Sequence, residues 1–257
     1  MILLPPSEGK TDAFGDSVLD LATLQFSDLT LRRQKAVSAL IAMSQGSRGK
    51  ARTALGLSLK QDFEIDRNIG LRNLPTGMAY SIYTGVLFDA IGISSLTSAQ
   101  LKKFESLAFV QSALFGLISV ADKIPAYRLS GDTVMPKLPS LTKHWGSACA
   151  EILSGVEELI VDLRSGTYVK LGPLPVGSNS VVPKILQKMP VGPPKVISHH
   201  NKSTKGYVVR AILESKSKLI TAEQLAQIVA NMGADVVLHE PVKPGFARIL
   251  DVVVDVL

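Results

Sequence analysis

Three short apolar runs, each released into a polar and largely cationic loop, constrain this chain more than any other feature. They are Ile2-Leu3-Leu4, Leu159-Ile160-Val161-Asp162-Leu163 and Lys195-Val196-Ile197-Ser198. Continuous runs of this length read as buried strands, the kind that a sheet covered by helices requires. The loops that follow hold residues 4–11, 162–170 and 199–210, each with Lys or Arg beside hydroxyl side chains. Strand ends of one sheet converge on a single crevice, the usual ligand position in α/β architecture.

In the third stretch, Tyr207 onward has helical spacing (Val208, Val209, Ile212, Leu213), so the expected layout is strand, a turn over 199–206, then helix. The leading N–H groups of a helix are unpaired and its dipole is positive there, which favours anions. Lys202, Lys205 and Arg210 add full charges to that partial one, and Ser7, Arg128 and Lys170 complete the anion-binding candidates. Arg128 follows a proline turn and suits planar, bidentate contact with phosphate or carboxylate. Glu8 is the one carboxylate of the set and the obvious acid/base candidate. With Lys10 and Tyr83 it forms the candidate catalytic group if the crevice is that of an enzyme. The loop at 7–11 is not a P-loop, because the G-x-x-x-x-G-K-[ST] pattern is absent.

Residues 28–60 hold the clearest charge feature. Between Asp28 and Asp62 come Arg32, Arg33, Lys35, Arg48, Lys50, Arg52 and Lys60 with no acid among them. Helical spacing over 31–43 and a second helix over 51–57 flank the turn Gln45–Lys50, a layout that presents backbone N–H groups and cations to a phosphate backbone. The missing counter-charges point to a phosphate-facing surface, with Arg48, Lys50 and Arg52 as its DNA-binding candidates.

Elsewhere, a short helix is expected over 97–106, a central buried element over 107–120, a helix from Leu141 to about Leu153, an irregular Pro- and Gly-rich excursion over 172–194 and a helix over 222–232. Strands at 235–239 and 247–254 are expected to close the sheet antiparallel, which makes the fold class mixed α/β. Trp145 reads as a core anchor, Cys149 as a small buried helix residue, Tyr80 as core and Tyr83 as cleft lining.

At 257 residues the chain suits one large domain or two small ones, and 46% hydrophobic with 19% charged residues says globular. A net charge of +6 favours an anionic partner. One cysteine excludes an intrachain disulfide, and the four histidines make no metal-ligand spacing, His199 and His200 pointing apart if extended. No metal and no cofactor is therefore expected. MILLPPSEGK lacks a basic leader, and no run approaches the ~18 apolar residues of a spanning helix, so a soluble cytoplasmic protein without a membrane partner is expected.

Six stretches taken in order resemble one family: ILLPPSEGKT at the start, YTGVLFDA at 83–90, SALFGLISVADKIPAYRLS at 112–130, Trp145, VDLRSGTYVKL at 161–171 and NKSTKGYVVRAIL at 201–213. This is the YaaA family, also called DUF328 or UPF0246, the peroxide stress proteins, and the chain looks like its actinobacterial branch. Better-known members have S-P-A-K where this chain has Pro6 to Lys10, and N-L-A-S-x-E-Y-x-K where it has Asp162 to Lys170. The Glu of that second motif is Thr167 here. The resemblance implies one mixed α/β domain over 1–257 with a positively charged cleft, and a cytoplasmic part in limiting iron-driven oxidative damage to DNA. It also implies double-stranded DNA as partner, through a helix-hairpin-helix-like element at about 36–58. The alternative drawn from the three loops is an enzyme acting on a phosphorylated or nucleotide-like small molecule.

Overall fold

The computed structural model describes residues 1–196, 201–217 and 220–255. Ile2–Leu4 forms β1, whose three side chains are fully buried. Each contributes about 1.5–3 kcal/mol by leaving water. β1 pairs in parallel with β3 (Ala108–Ser112) on one side and with β6 (Ile160–Asp162) on the other. Beyond β3 the hairpin strand β4 (Gly116–Ser119) returns antiparallel. Beyond β6 the sheet continues in parallel through β7 (Ser180–Gln187) and β10 (Arg248–Val254), and β9 (Asp235–Leu238) closes it antiparallel. Among the described residues the order is β4–β3–β1–β6–β7–β10–β9, with β8 (Lys195–Val196) on the free end of β7. β2 (Gly77–Met78) and β5 (Lys123–Ile124) form a separate two-stranded ribbon.

The long insertion between β1 and β3 is helical: α1 (Thr30–Gln45), α2 (Arg48–Ala54), α3 (Phe63–Ile69), α4 (Ala79–Ile82), α5 (Val86–Ile91) and α6 (Ser98–Leu107). α7 (Leu141–Ser154) and α8 (Gly166–Lys170) flank β6, and α9 (Asn201–Glu214) and α10 (Ala222–Ala230) precede β9. Capping residues set the boundaries of several. Thr97 with Gln100 opens α6 and Thr221 with Gln224 opens α10 as reciprocal capping boxes. Trp145 and Cys149 lie one turn apart on the buried face of α7, and the indole donates to Ala113 O at 2.9 Å. Both readings of these two residues hold, as does the antiparallel close of the sheet.

Three expected boundaries move. Residues 180–187 are the longest strand of the sheet rather than part of an irregular excursion. Pro183 hides it in sequence, but that proline sits where β6 has ended and β8 has not begun, so a missing N–H costs little. β8 is only two exposed residues, an antiparallel edge rather than a buried parallel strand; Ile197, Ser198, His199 and His200 lie outside the described residues. α9 begins at Asn201, so Lys202 to Gly206 belong to its first turns and not to a loop. Gly206 explains why: a Cβ there would meet Leu87 O at 2.4 Å and the Ala90 Cβ at 2.6 Å, so α9 packs backbone to backbone on α5 from its start.

The order of the sheet fixes where a ligand can enter. From β1 the chain goes to β3 on one side and later to β6 on the other. That reversal opens a crevice beyond the carboxyl end of β1.

Candidate functional site

A cleft of about 760 Å³ lies at this point. Its walls are the loop after β1, the Thr84-Gly85 entry to α5, residues 130–132, the loop after β6 and the first turn of α9. Two of the three loops read as convergent thus meet here, and the third arrives as a helix. The loop after β1 is zipped to the α4–α5 corner: Thr11 N–H donates to Ile82 O at 2.9 Å, Thr84 N–H donates to Gly9 O at 3.3 Å, and Lys10 bridges to Tyr83. Ser7, Glu8 and Gly9 are thereby held in place.

The loop after β6 is fixed by a buried ion pair. The Arg164 guanidinium meets the Asp162 carboxylate at 2.8 and 2.7 Å and also donates to Gly172 O and to Gln111 Oε1 of β3. Both side chains are enclosed. Arg164 is therefore a brace and not a ligand-facing cation. Lys205 reaches back from α9 and donates to Leu163 O at 2.9 Å and Arg164 O at 3.3 Å; burial pushes its pKa down. Lys202 stands exposed at the same wall.

Glu8 and Arg128 pair at 2.9 Å. The Arg128 backbone is clamped by the buried Asn68 amide, which accepts from Arg128 N and donates to Arg128 O. Asp132 adds a second carboxylate, accepting from Thr167 Oγ1 at 3.3 Å. Asp132 thus gives this wall an acid beside Thr167. Lys10 lies beneath it, donating to Ser7 O at 2.8 Å with its ammonium 4.1 Å from the Tyr127 ring centre. Burial, then the nearby Arg128 charge, lowers its pKa to about 7. Below Lys10, Ser112 Oγ accepts from Leu114 and Phe115 N–H, which leaves its proton for Tyr127 Oη; Tyr127 in turn meets Tyr83 Oη at 3.0 Å.

Several candidates lie elsewhere. Tyr83 is a core residue rather than cleft lining, 2% exposed, with its hydroxyl pKa raised by burial, while Tyr80 is half-buried and packs against the core as expected. Tyr83 is the tyrosine that the Tyr127 hydroxyl can satisfy. Lys170 is exposed at the end of α8 and is not among the lining residues. Arg210 is occupied by Glu214, the Ile91 and Gly92 carbonyls and Ser95. Asp132 and Tyr168 line the cleft without having been singled out as candidates. Asp132 had a readable signal, a turn acid after Ser130-Gly131, whereas Tyr168 looked like any strand-end aromatic.

The cationic 28–60 segment is also rearranged. Arg33 is fully buried, donating to Phe115, Leu117 and Gln25 carbonyls, and burial lowers its pKa to about 10. Arg48 and Arg52 do have counter-charges: Asp62 takes both and Asp66 takes Arg48. Hydrogen bonds from Arg52 and Arg48 hold the Asp62 carboxyl down at about 2. The acids follow in sequence rather than interleave, so a run of cations read alone conceals them. The α1–α2 turn is only Gly46-Ser47, and the left-handed glycine is Gly56 (φ 62°) in the turn between α2 and α3. Lys50 and Lys60 are exposed on this α2–α3 hairpin.

The fold is a mixed α/β unit with a lysine- and carboxylate-lined cleft at a strand-order reversal. Comparison with known sequences makes this specific. The model of the peroxide stress protein YaaA family matches residues 1–232, and the chain belongs to that family. A UPF0246 protein of Corynebacterium efficiens is 39% identical over 244 residues, covering 93% of this chain and 96% of that one. A UPF0246 protein of Streptomyces coelicolor is 33% identical over 256 residues, covering 99% and 98%. A more distant one from Bordetella avium is 30% identical over 149 residues, 55% of this chain and 58% of its own length. No described helix is long and apolar enough to cross a membrane.

Proposed function

We propose that this protein serves the cytoplasmic response to hydrogen peroxide by binding duplex DNA and limiting iron-driven damage to it, and that the phosphate backbone rests on the α2–α3 hairpin. Membership of a peroxide stress family supports the setting. The observation that supports the contact is the form of the hairpin. Gly56 leaves an open apex where even a Cβ would touch nothing, and Lys50 and Lys60 flank it unburied. Arg48 and Arg52 brace it from behind through Asp62 and Asp66. In this reading Arg48 and Arg52 shape the surface, and Lys50 and Lys60 contact phosphate. A rigid hairpin loses little conformational freedom on binding, and phosphate contacts bring salt sensitivity without base preference. Mapping amide shifts on titration with a short duplex tests this. Shifts centred on residues 48–61 are expected, and shifts that spare this hairpin would refute it.

A second reading, an enzyme acting on a phosphorylated small molecule, is favoured by one observation: Lys202 and Lys205 share a cleft with Glu8 and Asp132. A duplex backbone has no use for such carboxylates. Tyr168, which lines the cleft, and Lys10, which donates to Ser7 O under that lining and has a pKa near 7, are the groups that could move a proton. The two readings place their ligands side by side, because the hairpin apex at Gly56 borders the hollow that Glu8 and Asp132 share with the cleft.

A further inference from the structure

We infer that the cleft binds a phosphomonoester of nucleotide size, its phosphate on Lys202 and Lys205 and the hydroxyl or amino groups of its other end on Asp132 and Glu8. This rests on the second reading above and gives that ligand a chemistry and an orientation.

Size comes first. A cleft of about 760 Å³ falls within the range of small-molecule sites, roughly 300–1,000 Å³. Charge then sets the direction. Glu8, Ser130 and Asp132 border both this cleft and an adjoining hollow formed with Arg128 and residues 53–56, whereas Lys202 and Lys205 border the cleft alone. Lys202 and Lys205 therefore stand away from the end held by Glu8 and Asp132, where Arg128 pairs with Glu8. Lys202 and Lys205 are three residues apart on α9 and share a face. Lys205 has spent two donors on the Leu163 and Arg164 carbonyls, which fixes its ammonium in place with a third N–H to offer. Lys202, exposed one turn earlier, supplies a second charge.

At the other end the carboxylates can only accept. Asp132 already takes Thr167 Oγ1, and Glu8 takes one Arg128 N–H, so each keeps lone pairs for a ligand. Two acids there repel a second phosphate and reward donors such as ribose hydroxyls or an amine. Between the two ends Pro6, Val86 and Phe88 give an apolar stretch suited to the body of such a molecule.

Titration calorimetry with adenosine 5′-monophosphate, adenosine and inorganic phosphate tests the assignment on the wild type and on the Lys202→Ala and Asp132→Asn variants. Both positions are exposed, so the fold survives either change, and circular dichroism verifies it. The monophosphate is expected to bind at least about tenfold tighter than adenosine or phosphate, since each charge-assisted contact is worth that much or more. Lys202→Ala is expected to weaken the monophosphate about tenfold and leave adenosine unchanged; Asp132→Asn should weaken the monophosphate but not phosphate. If the monophosphate and adenosine bind equally and Lys202→Ala changes neither, the orientation is wrong although the cleft binds a small molecule. If none of the three binds at millimolar concentration, the small-molecule reading falls as well.

Discussion

Breaking the Asp162–Arg164 pair should destabilise this protein more than most single substitutions could. Its side chains are 2% and 0% exposed, so neither charge can turn to water when its partner is removed. Asp162→Asn removes the counter-charge of a buried guanidinium and replaces one of the two oxygens it meets at 2.8 and 2.7 Å with an NH2 group that cannot accept, leaving it only neutral oxygens on the new amide, Gly172 and Gln111. Arg164→Met leaves a buried carboxylate with only the Arg164 N–H at 3.0 Å. Orphaning one member of a buried pair costs roughly 3–5 kcal/mol, against a total stability of about 5–15 kcal/mol for a domain. At roughly 2–4 °C per kcal/mol for a chain of this size, the melting point should fall by about 6–20 °C in each single variant. The double variant removes both charges at once and should be less destabilised than the sum of the two, because no charge is then left unpaired. Urea melts followed by circular dichroism measure all three. Single losses below about 1 kcal/mol, or a double loss equal to the sum, would refute the view that this pair is what fixes the loop after β6.

Two further expectations follow from close contacts and from burial. Gly206→Ala places a Cβ against the Leu87 carbonyl and the Ala90 side chain, so α9 must lift from α5 at a cost of about 1–3 kcal/mol, whereas Gly166→Ala meets nothing and should leave the melt unchanged. Lys10 has a folded-state pKa near 7 against 10.5 unfolded. Between these values the unfolded chain binds more protons, so the Lys10 contribution makes stability rise with pH across about 7 to 10.5. Melts of wild type and Lys10→Met at stepped pH should therefore show the wild type gaining on the variant across that window, and a gap that stays flat or moves against the wild type contradicts the burial of this amine.

Much of the fold could be read from patterning. The three buried residues of β1, the capped helices α6 and α10, Trp145 and Cys149 all follow from hydrophobic period and capping chemistry, which act locally. What could not be read depends on partners distant in sequence. Pro183 conceals β7 until its neighbours β6 and β8 are placed. The cations Arg48 and Arg52 look unpaired until α3 folds back and brings Asp62 and Asp66 to them. Arg33 looks like one more surface charge until the carbonyls of 115 and 117 close over it. In the cleft, Ser7, Glu8, Lys202 and Lys205 were legible because strand ends and helix starts place such residues predictably. Tyr83 reads wrongly as cleft lining because the partner that satisfies it inside, the buried hydroxyl of Tyr127, lies 44 residues away.

The most direct measurement for the proposed function is fluorescence anisotropy of a labelled duplex over a salt series, comparing wild type with Lys50→Ala/Lys60→Ala. Each phosphate contact contributes about 0.9 to the slope of log affinity against log salt, so losing both lysines should flatten the slope by about 2 while the melting point stays put. An unchanged slope in the double variant, or no salt-dependent binding by the wild type, would contradict DNA binding by the α2–α3 hairpin.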